Sequence, residues 1–386
     1  MNGRKFLWLT ENYPPQRGGM AQSCDRLIAG FQKEGALVDI FHFTNSQKRN
    51  TGKRIRNGHY VPLQIYDSEA HTINLAWNRI SLYEGYDYLV CFGSHLSAIA
   101  APVFAKWMDI PLVTLIRGND FDHALFTPRK RAILDNLITS SSMIFTVSAD
   151  KANKINKLFP NTSAVFIANG IDPESWQPSL SEIKFSEKWR HQNITKGRRC
   201  IGLIGDLKDK KGALFLFESI SKTNISDQFL FLLIGHVEPK LSEFLNERQI
   251  THVCIPFQDR YELLKYYLCL DALAIPSFYD GMPNVMLEAG ALGIPMIAAN
   301  VDGMKDLLEA GRDSALFHPG DEDECRKAFY EIAQLPDDSL KKMGQYLKNK
   351  ILNKYTLQDE IDSYKKHLTK SRRFTGNRVM RRQQTD

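Results

Sequence analysis

Short apolar segments alternate with amphipathic segments of helical period along most of this 386-residue chain. This alternation is typical of wound α/β domains, because a buried parallel strand needs a crossover helix to reach the next one. Ligands of such sheets bind outside the carboxyl ends of the strands, so functional residues are expected directly after strands. The predicted strands cover residues 5–9, 37–43, 88–92, 112–116, 143–147, 164–167, 201–204, 229–234, 252–255, 272–275 and 296–298.

The alternation lapses over residues 173–198, a polar stretch that contains Pro173, Pro178 and Gly197. Proline and glycine interrupt regular structure, so this stretch is interpreted as a linker between two domains. We therefore predict Rossmann-like doubly wound α/β domains over residues 1–172 and 199–355. A helix over 356–368 and a basic, disordered tail over 369–386 are expected to follow.

The distribution of charge argues against a nucleic-acid-binding protein. The net charge is +6, but residues 365–386 contribute +7, so the preceding residues carry −1. A nucleic-acid-binding domain carries its positive charge on the folded body. Six scattered cysteines without a C-x-x-C pair indicate neither a zinc site nor a disulfide framework. No apolar run approaches the roughly 18 residues that span a bilayer, and a cytoplasmic protein is predicted.

A glycine-containing loop separates the first predicted strand from the first predicted helix and reads Pro-Pro-Gln-Arg-Gly-Gly over residues 14–19. Gly18 and Gly19 allow a ligand to approach the backbone closely, and the following helix N-terminus favours a phosphate. The loop is not G-x-G-x-x-G, so the dinucleotide fingerprint is absent. Taken alone, the loop is better explained as a plain tight turn.

A lysine-rich loop over residues 205–212 directly follows the first strand of the second domain. Lys208 and Lys211 are point charges ahead of a helix N-terminus, an arrangement that suits a diphosphate. A solvated charged loop is the alternative.

The most informative segment covers residues 276–295, after the predicted strand 272–275. Asp280 lies in its loop, Pro283 stands where a helix would begin, and Glu288 falls inside that helix. Carboxylates are suited to accept hydrogen bonds from the vicinal hydroxyls of a sugar or ribose. The amides of residues 281–285 would point at an anion. Two isolated acids would be read as solvated, but the flanking glycines, proline and asparagine favour a ligand site.

These segments, in this order and spacing, resemble the retaining glycosyltransferases of family 4 over residues 4–360. The matching positions are the loop 14–19, the Asn-Gly-Ile-Asp sequence at 169–172, Lys211-Gly212 and the block 276–295. The block is similar to the family's Glu-x7-Glu motif with an aspartate in first place. The resemblance implies the GT-B fold, with two Rossmann-like domains facing a central crevice and the C-terminal helix crossing back to the first domain.

The resemblance also implies a role for each matching residue. Glu288 would hold the ribose of a nucleotide-sugar donor, Asp280 would contact the transferred sugar, and Lys211 would neutralise the departing diphosphate. A hexosyl group would move to an acceptor hydroxyl with retention of configuration, without a metal or a cofactor. The implied catalytic residues are Asp280, Glu288, Lys211 and Arg117, and the implied donor-binding residues are Gly18, Gly19, Lys208, Gly281, Met282, Pro283, Asn284, Val285 and Glu288.

Three positions depart from the family pattern. Asp280 is one methylene shorter than the usual glutamate, and Asp206 stands where many relatives have an arginine. Arg117 stands where relatives often have a histidine; it can bind phosphate but cannot act as a base.

Three further residues are candidates for the crevice. His95 and His236 follow predicted strands, and Asn119 lies in the loop after the strand 112–116. For both histidines, a satisfied structural role is the alternative.

The expected partners are a nucleotide-sugar donor and a saccharide, lipid-linked or small-molecule acceptor. The basic loop around residues 48–56 and the basic tail suggest peripheral contact with an anionic membrane on the cytoplasmic face, although a solvated tail is the simpler reading. Two other functions stay open at this point. One is a nucleotide-sugar epimerase, which needs no acceptor, and the other is a catalytically silent GT-B-like binding or scaffold protein.

Overall fold

The computed structural model describes residues 1–45, 53–54, 57–118 and 120–370. It divides into two compact units. Unit 1 contains Met1–Gly170 together with the C-terminal segment that begins at Leu357, and unit 2 contains Ile171–Thr356. The C-terminal helix therefore belongs to unit 1.

Unit 1 is built on a sheet whose central strands are mostly apolar and mostly buried. Its strands are β1 (Lys5–Thr10), β2 (Leu37–Thr44), β3 (Lys53–Arg54), β4 (His59–Gln64), β5 (Tyr88–Phe92), β6 (Leu112–Ile116), β7 (Met143–Thr146) and β8 (Ala164–Phe166). Their order in the sheet is β3-β4-β2-β1-β5-β6-β7-β8. The short edge pair β3–β4 is antiparallel and the other neighbours are parallel. The order reverses between β1 and β5.

Helices cover both faces of this sheet, because its strands are apolar on both sides. The helices of unit 1 are α1 (Gly19–Lys33), α2 (Glu69–Ile80), α3 (Leu96–Trp107), α4 (Asp120–Leu125), α5 (Pro128–Ser140), α6 (Ala149–Leu158) and, from the C-terminal segment, α15 (Leu357–Lys370). One apolar cluster joins α1 and α15 to one face of the sheet, and another joins α2, α3 and α5 to the other face.

Unit 2 has a six-stranded, wholly parallel sheet. Its strands are β9 (Arg199–Leu207), β10 (Phe229–Val237), β11 (His252–Ile255), β12 (Ala272–Ile275), β13 (Met296–Ala299) and β14 (Ser314–Phe317). The order β11-β10-β9-β12-β13-β14 is the doubly wound order of a Rossmann-like domain, so the predicted fold class is confirmed. The order reverses between β9 and β12.

The helices of unit 2 connect these strands. They are α7 (Leu180–Asn193), α8 (Ala213–Ile220), α9 (Pro239–Glu247), α10 (Arg260–Tyr267), α11 (Asn284–Ala291), α12 (Asp302–Lys305), α13 (Glu322–Gln334) and α14 (Asp337–Lys354). Three 3₁₀ turns, Pro173–Trp176, Asp209–Lys211 and Asn224–Gln228, complete the unit.

The interpretation of residues 173–198 as a linker is wrong, since α7 occupies most of the stretch and belongs to unit 2. The helix is mostly polar, and Ser186 is its only buried residue. It is held by the edge-on contact of Phe185 with Tyr266, at 5.4 Å between ring centroids, and by Arg190, which donates to the Cys269 carbonyl at 2.6 Å. A capping box at Ser179 was the readable signal for its start.

The sequence reading also missed β4 and α2. Residues 59–64 mix polar and aromatic side chains and include Pro62, which obscures a strand pattern. The basic loop predicted around residues 48–56 contains the two-residue strand β3, while residues 46–52 and 55–56 lie outside the described part of the chain.

A buried ion-pair network anchors α15 within unit 1. The Glu360 side chain is fully buried and accepts from the guanidinium groups of Arg117 at 3.1 Å and Arg26 at 3.3 Å. It also accepts from the Gly170 backbone N–H at 2.8 Å. One carboxylate therefore links α15, α1, the end of β6 and the residue at which the chain leaves unit 1.

We predict that Glu360→Ala costs about 3–5 kcal/mol of stability, because it leaves a buried guanidinium without its carboxylate. Urea-induced unfolding measures the loss. Asp362→Ala, which changes an exposed acid of the same helix, is the matched control and should change stability by less than about 0.5 kcal/mol. Equal losses for the two variants would contradict a buried network.

Candidate functional site

The reversal of strand order in unit 2 places the ends of β9 and β12 side by side. In doubly wound sheets, this switch point is where ligands bind, because the two flanking crossovers run to opposite faces and leave a crevice. The lysine-rich loop follows β9 and the loop with Asp280 follows β12. The structure thus brings two of the sequence-predicted segments together.

Three successive contacts join these two loops. Gly212 has φ +69°, and a Cβ there would lie 2.0 Å from the Pro276 carbonyl oxygen, so only glycine fits. The Phe278 backbone N–H donates to the Lys210 carbonyl at 3.4 Å. Lys211 Nζ then donates to the Asp280 carboxylate. The predicted catalytic pair Lys211 and Asp280 is therefore in direct contact.

Helix α11 begins immediately beyond this pair. Pro283 is its N-cap, and its first turn, Asn284-Val285-Met286, carries no acidic side chain. Gly281 and Met282 are buried, whereas Asn284 and Val285 are half-buried. Backbone N–H groups at a helix N-terminus, with the positive end of its dipole, suit an anion.

Glu288 lies one turn further along α11 and is held by a residue that the sequence reading missed. The Tyr267 hydroxyl donates to its carboxylate at 2.7 Å. Tyr267 is fully buried, and Trp176 packs edge-on against its ring at 5.6 Å between centroids. Burial, with the charge of Glu288 beside it, raises the pKa of Tyr267 well above its ordinary value.

The end of β9 carries a second lysine–carboxylate pair. Asp206 accepts from Lys208 Nζ at 2.6 Å, and its other oxygen lies 3.2 Å from His236 Nδ1. All three side chains are about half exposed or more. Two predicted site residues, Lys208 and His236, therefore both contact Asp206, one of the positions that differ from the family pattern.

Unit 1 has its own switch point, between β1 and β5. Gly18 is the N-cap of α1 with φ +113°, Gly19 is the first helical residue, and both are exposed. These two glycines present the N-terminus of a 15-residue helix to solvent. Their proposed contact with a diphosphate stays a prediction.

Glu11, directly after β1, is a second residue that the sequence reading missed. It accepts from the backbone N–H groups of Ser94 at 3.0 Å, His95 at 2.8 Å and Ser97 at 3.2 Å. Burial raises the pKa of Glu11, against these donors, which lower it. Its place at a strand end was the available signal. The His95 side chain is exposed and lies 2.9 Å from Glu69.

Arg117 lies in the buried network of unit 1. Its side chain is 2% exposed and donates to the Tyr364 hydroxyl at 2.9 Å and to the Asn169 side chain. This environment gives Arg117 a structural task, and its catalytic role stays a prediction. Asn119 lies outside the described residues.

Further aromatic and histidine side chains lie near the end of β2. His42 Nδ1 is 2.9 Å from the Tyr60 hydroxyl, and the ring of Tyr13 stacks on that of Tyr60 at 5.7 Å. His42 is fully buried, and burial lowers its pKa to about 4.

The predicted membrane contact stays untested, because the basic side chains around residues 48–56 and the tail 371–386 lie outside the described part of the chain. Among the described residues, no helix is long and apolar enough to cross a bilayer. The same residues contain no group of three potential metal-ligating side chains.

Comparison with protein families gives a match in each unit. The model of Glycosyltransferase Family 4 matches residues 17–175, and that of Glycosyl transferases group 1 matches residues 198–334. The second match contains both lysine–carboxylate pairs and Glu288.

Individual proteins give similarities at low identity. An uncharacterized glycosyltransferase of Methanocaldococcus jannaschii is 23% identical over 79% of this chain and 83% of its own length. The Escherichia coli UDP-Gal:alpha-D-GlcNAc-diphosphoundecaprenol alpha-1,3-galactosyltransferase is 24% identical over 58% of this chain. That match spans 59% of the E. coli protein, less than two thirds of its length.

Solved structures share the fold. Sucrose-phosphate synthase from Thermosynechococcus elongatus superposes with a TM-score of 0.81 at 14% identity, over 95% of this chain and 98% of its own. Anabaena HepE in complex with UDP and glucose gives a TM-score of 0.77 at 17% identity, over 95% of this chain and 100% of its own. The GT-B fold expected from the sequence is confirmed.

We predict that Tyr267→Phe costs about 1.5–3 kcal/mol, the usual contribution of a hydrogen bond to a charged group. Tyr266→Phe is the matched control, because it removes the neighbouring hydroxyl from a ring that packs on Phe185. Urea-induced unfolding should separate the two variants clearly. If Tyr267→Phe were as stable as Tyr266→Phe, Glu288 would not depend on this hydroxyl.

We predict that His42 makes the protein less stable in acid. Its pKa is about 4 when folded and about 6.5 when unfolded, so between these values the unfolded chain binds more protons. Stability therefore falls as the pH is lowered through this window, by about 2 kcal/mol between pH 7 and pH 5. Urea unfolding of the wild type and His42→Asn at both pH values tests this, and parallel losses would contradict it.

Proposed function

Because this chain belongs to glycosyltransferase family 4, with a group 1 glycosyltransferase domain in unit 2, we propose that it transfers a hexosyl group from a nucleotide sugar to an acceptor hydroxyl with retention of configuration. The observation that carries this proposal is the switch point of unit 2. There Lys211, Asp280 and the N-terminus of α11 meet, with Glu288 one turn further along the helix.

The donor is proposed to bind across this switch point. Glu288 accepts hydrogen bonds from the vicinal ribose hydroxyls, with Tyr267 fixing its orientation through the 2.7 Å hydrogen bond. The diphosphate lies at the N-terminus of α11, where backbone N–H groups face it. The binding of UDP by the structurally similar Anabaena HepE supports a nucleoside diphosphate as the ligand class.

The transfer step is proposed to depend on stabilisation of the leaving group. When the bond between the anomeric carbon and the diphosphate breaks, negative charge develops on the diphosphate. Lys211 and the positive end of the α11 dipole neutralise that charge. Fixed positive groups of this kind lower the barrier because they are already in place where the negative charge develops. We propose that these groups serve in place of a metal ion. Asp280 positions the sugar next to the reacting carbon.

The acceptor is proposed to be a saccharide hydroxyl, carried by a glycan or a lipid-linked glycan. The E. coli relative is named for transfer to a diphosphoundecaprenol-linked N-acetylglucosamine. This supports a place in glycan biosynthesis and supplies a first acceptor for assay.

A thermal-shift series with UDP-, GDP-, ADP- and dTDP-sugars tests the donor site. At 100 times its Kd, the true donor should stabilise the protein by about 2.7 kcal/mol. Glu288→Ala should lose most of this gain, whereas Glu243→Ala, an exposed acid on α9, should keep it. If none of the four classes stabilises the wild-type protein, the proposed donor site is wrong.

The donor identified in that series is then incubated with GlcNAc-diphosphoundecaprenol and with simple saccharides, with and without EDTA. Product formation that persists in EDTA, with the donor's anomeric configuration in the product by proton NMR, is expected. An inverted product would contradict retention, and activity abolished by EDTA and restored by a divalent cation would contradict metal independence.

A further inference from the structure

We infer that the Asp280 carboxylate competes with the diphosphate for Lys211. It pairs with Lys211 when no nucleotide is bound, and a nucleoside diphosphate displaces it when it binds. This inference rests on the proposed function of the same site. It adds a partner exchange in which one lysine serves two anions in turn, and it assigns Asp280 a role in product release besides sugar contact.

The structure indicates that the Lys211–Asp280 contact is fixed by the backbone and is not an incidental surface contact. The loops after β9 and β12 are held together by the Gly212–Pro276 approach and by the Phe278–Lys210 hydrogen bond. These contacts fix the two backbones from which Lys211 and Asp280 project. The side chain of Asp280 is 17% exposed and that of Lys211 is 36% exposed, so the pair is only partly screened by water.

The second lysine–carboxylate pair at this switch point is more exposed to solvent than the Lys211–Asp280 pair. Lys208 and Asp206 also form a lysine–carboxylate contact, at 2.6 Å, but their side chains are 49% and 51% exposed. Solvent screening makes such a pair weak. Asp206 thus places a negative charge at the switch point, but it pairs with Lys208 and not with the lysine that Asp280 contacts.

The exchange has a direct thermodynamic consequence. A diphosphate that binds Lys211 must break the contact between Lys211 and Asp280. The protein therefore binds the diphosphate more weakly than it would if Lys211 had no carboxylate partner. The released carboxylate becomes available to the sugar hydroxyls in the donor complex. Once the sugar has been transferred, Asp280 competes with the diphosphate for Lys211 and favours its departure.

The test is a double-mutant cycle in the full-length protein, with UDP, ADP and GDP as probes in isothermal titration. Asp280→Asn keeps the shape of the side chain and removes its charge. It should tighten binding of the preferred nucleoside diphosphate by about threefold to fivefold, the upper part of the range for losing one partly exposed ion pair. In a Lys211→Met background, the same substitution should change binding by less than about twofold, because the competition needs the lysine.

Two controls separate this exchange from a general charge effect. Asp206→Asn removes one negative charge at the same switch point and should tighten binding less than Asp280→Asn does. Asp280→Glu keeps the charge and should bind within about twofold of the wild type. Thermal unfolding of each variant establishes that it is folded, and transfer assays should show Asp280→Asn with lower kcat despite tighter nucleotide binding.

The outcomes distinguish the inference from the proposed function. If the wild type binds none of the three nucleotides, the proposed donor site itself is wrong. If the wild type binds one of them and Asp280→Asn does not bind it more tightly, the exchange is overturned and the donor site stands. If Asp280→Asn tightened binding equally with and without Lys211, the exchange would also be overturned. Asp280 would then act only by repelling the diphosphate, without competing for the lysine.

Discussion

The adjacency of β9 and β12 in a parallel sheet is the constraint from which the candidate site follows. Both strands end at the same edge, and the crossovers from them run to opposite faces, so their loops must meet there. Gly212 is required at that meeting point because no Cβ fits beside the Pro276 carbonyl. The contact between Lys211 and Asp280 is thus a product of sheet topology, although 69 residues separate the two in sequence.

Much of this arrangement could be predicted from the sequence because it is encoded locally. Apolar runs identified most strands of both sheets, and Pro283 marked the start of α11. The rule that ligands bind at strand ends then selected the two loops that the structure brings together. The linker prediction failed where local encoding is weak: α7 buries only Ser186, and its contacts through Phe185 and Arg190 are made with distant residues.

The residues that support the site could not be predicted in the same way, since their roles exist only after folding. Tyr267 ends an ordinary helix, and nothing local indicates that its hydroxyl reaches Glu288, 21 residues away. The family resemblance implies a catalytic role for Arg117, and the structure shows in addition that it pairs with Glu360, 243 residues away. A strand-end position therefore identifies residues near the ligand edge of a sheet, but burial and partners decide which of them face a ligand.

Buried and partly exposed ion pairs consequently have different tasks in this molecule. The Arg117–Glu360 pair is almost wholly excluded from water, so breaking it is costly and it suits a permanent link between α15 and the sheet of unit 1. The Lys211–Asp280 pair is partly exposed and therefore weaker, as the proposed replacement of the carboxylate by a phosphate requires. In the proposed cycle Lys211 receives and then releases a diphosphate, and such an exchange requires a partner of intermediate strength. A buried partner would prevent binding, and a fully solvated one would have no influence on release.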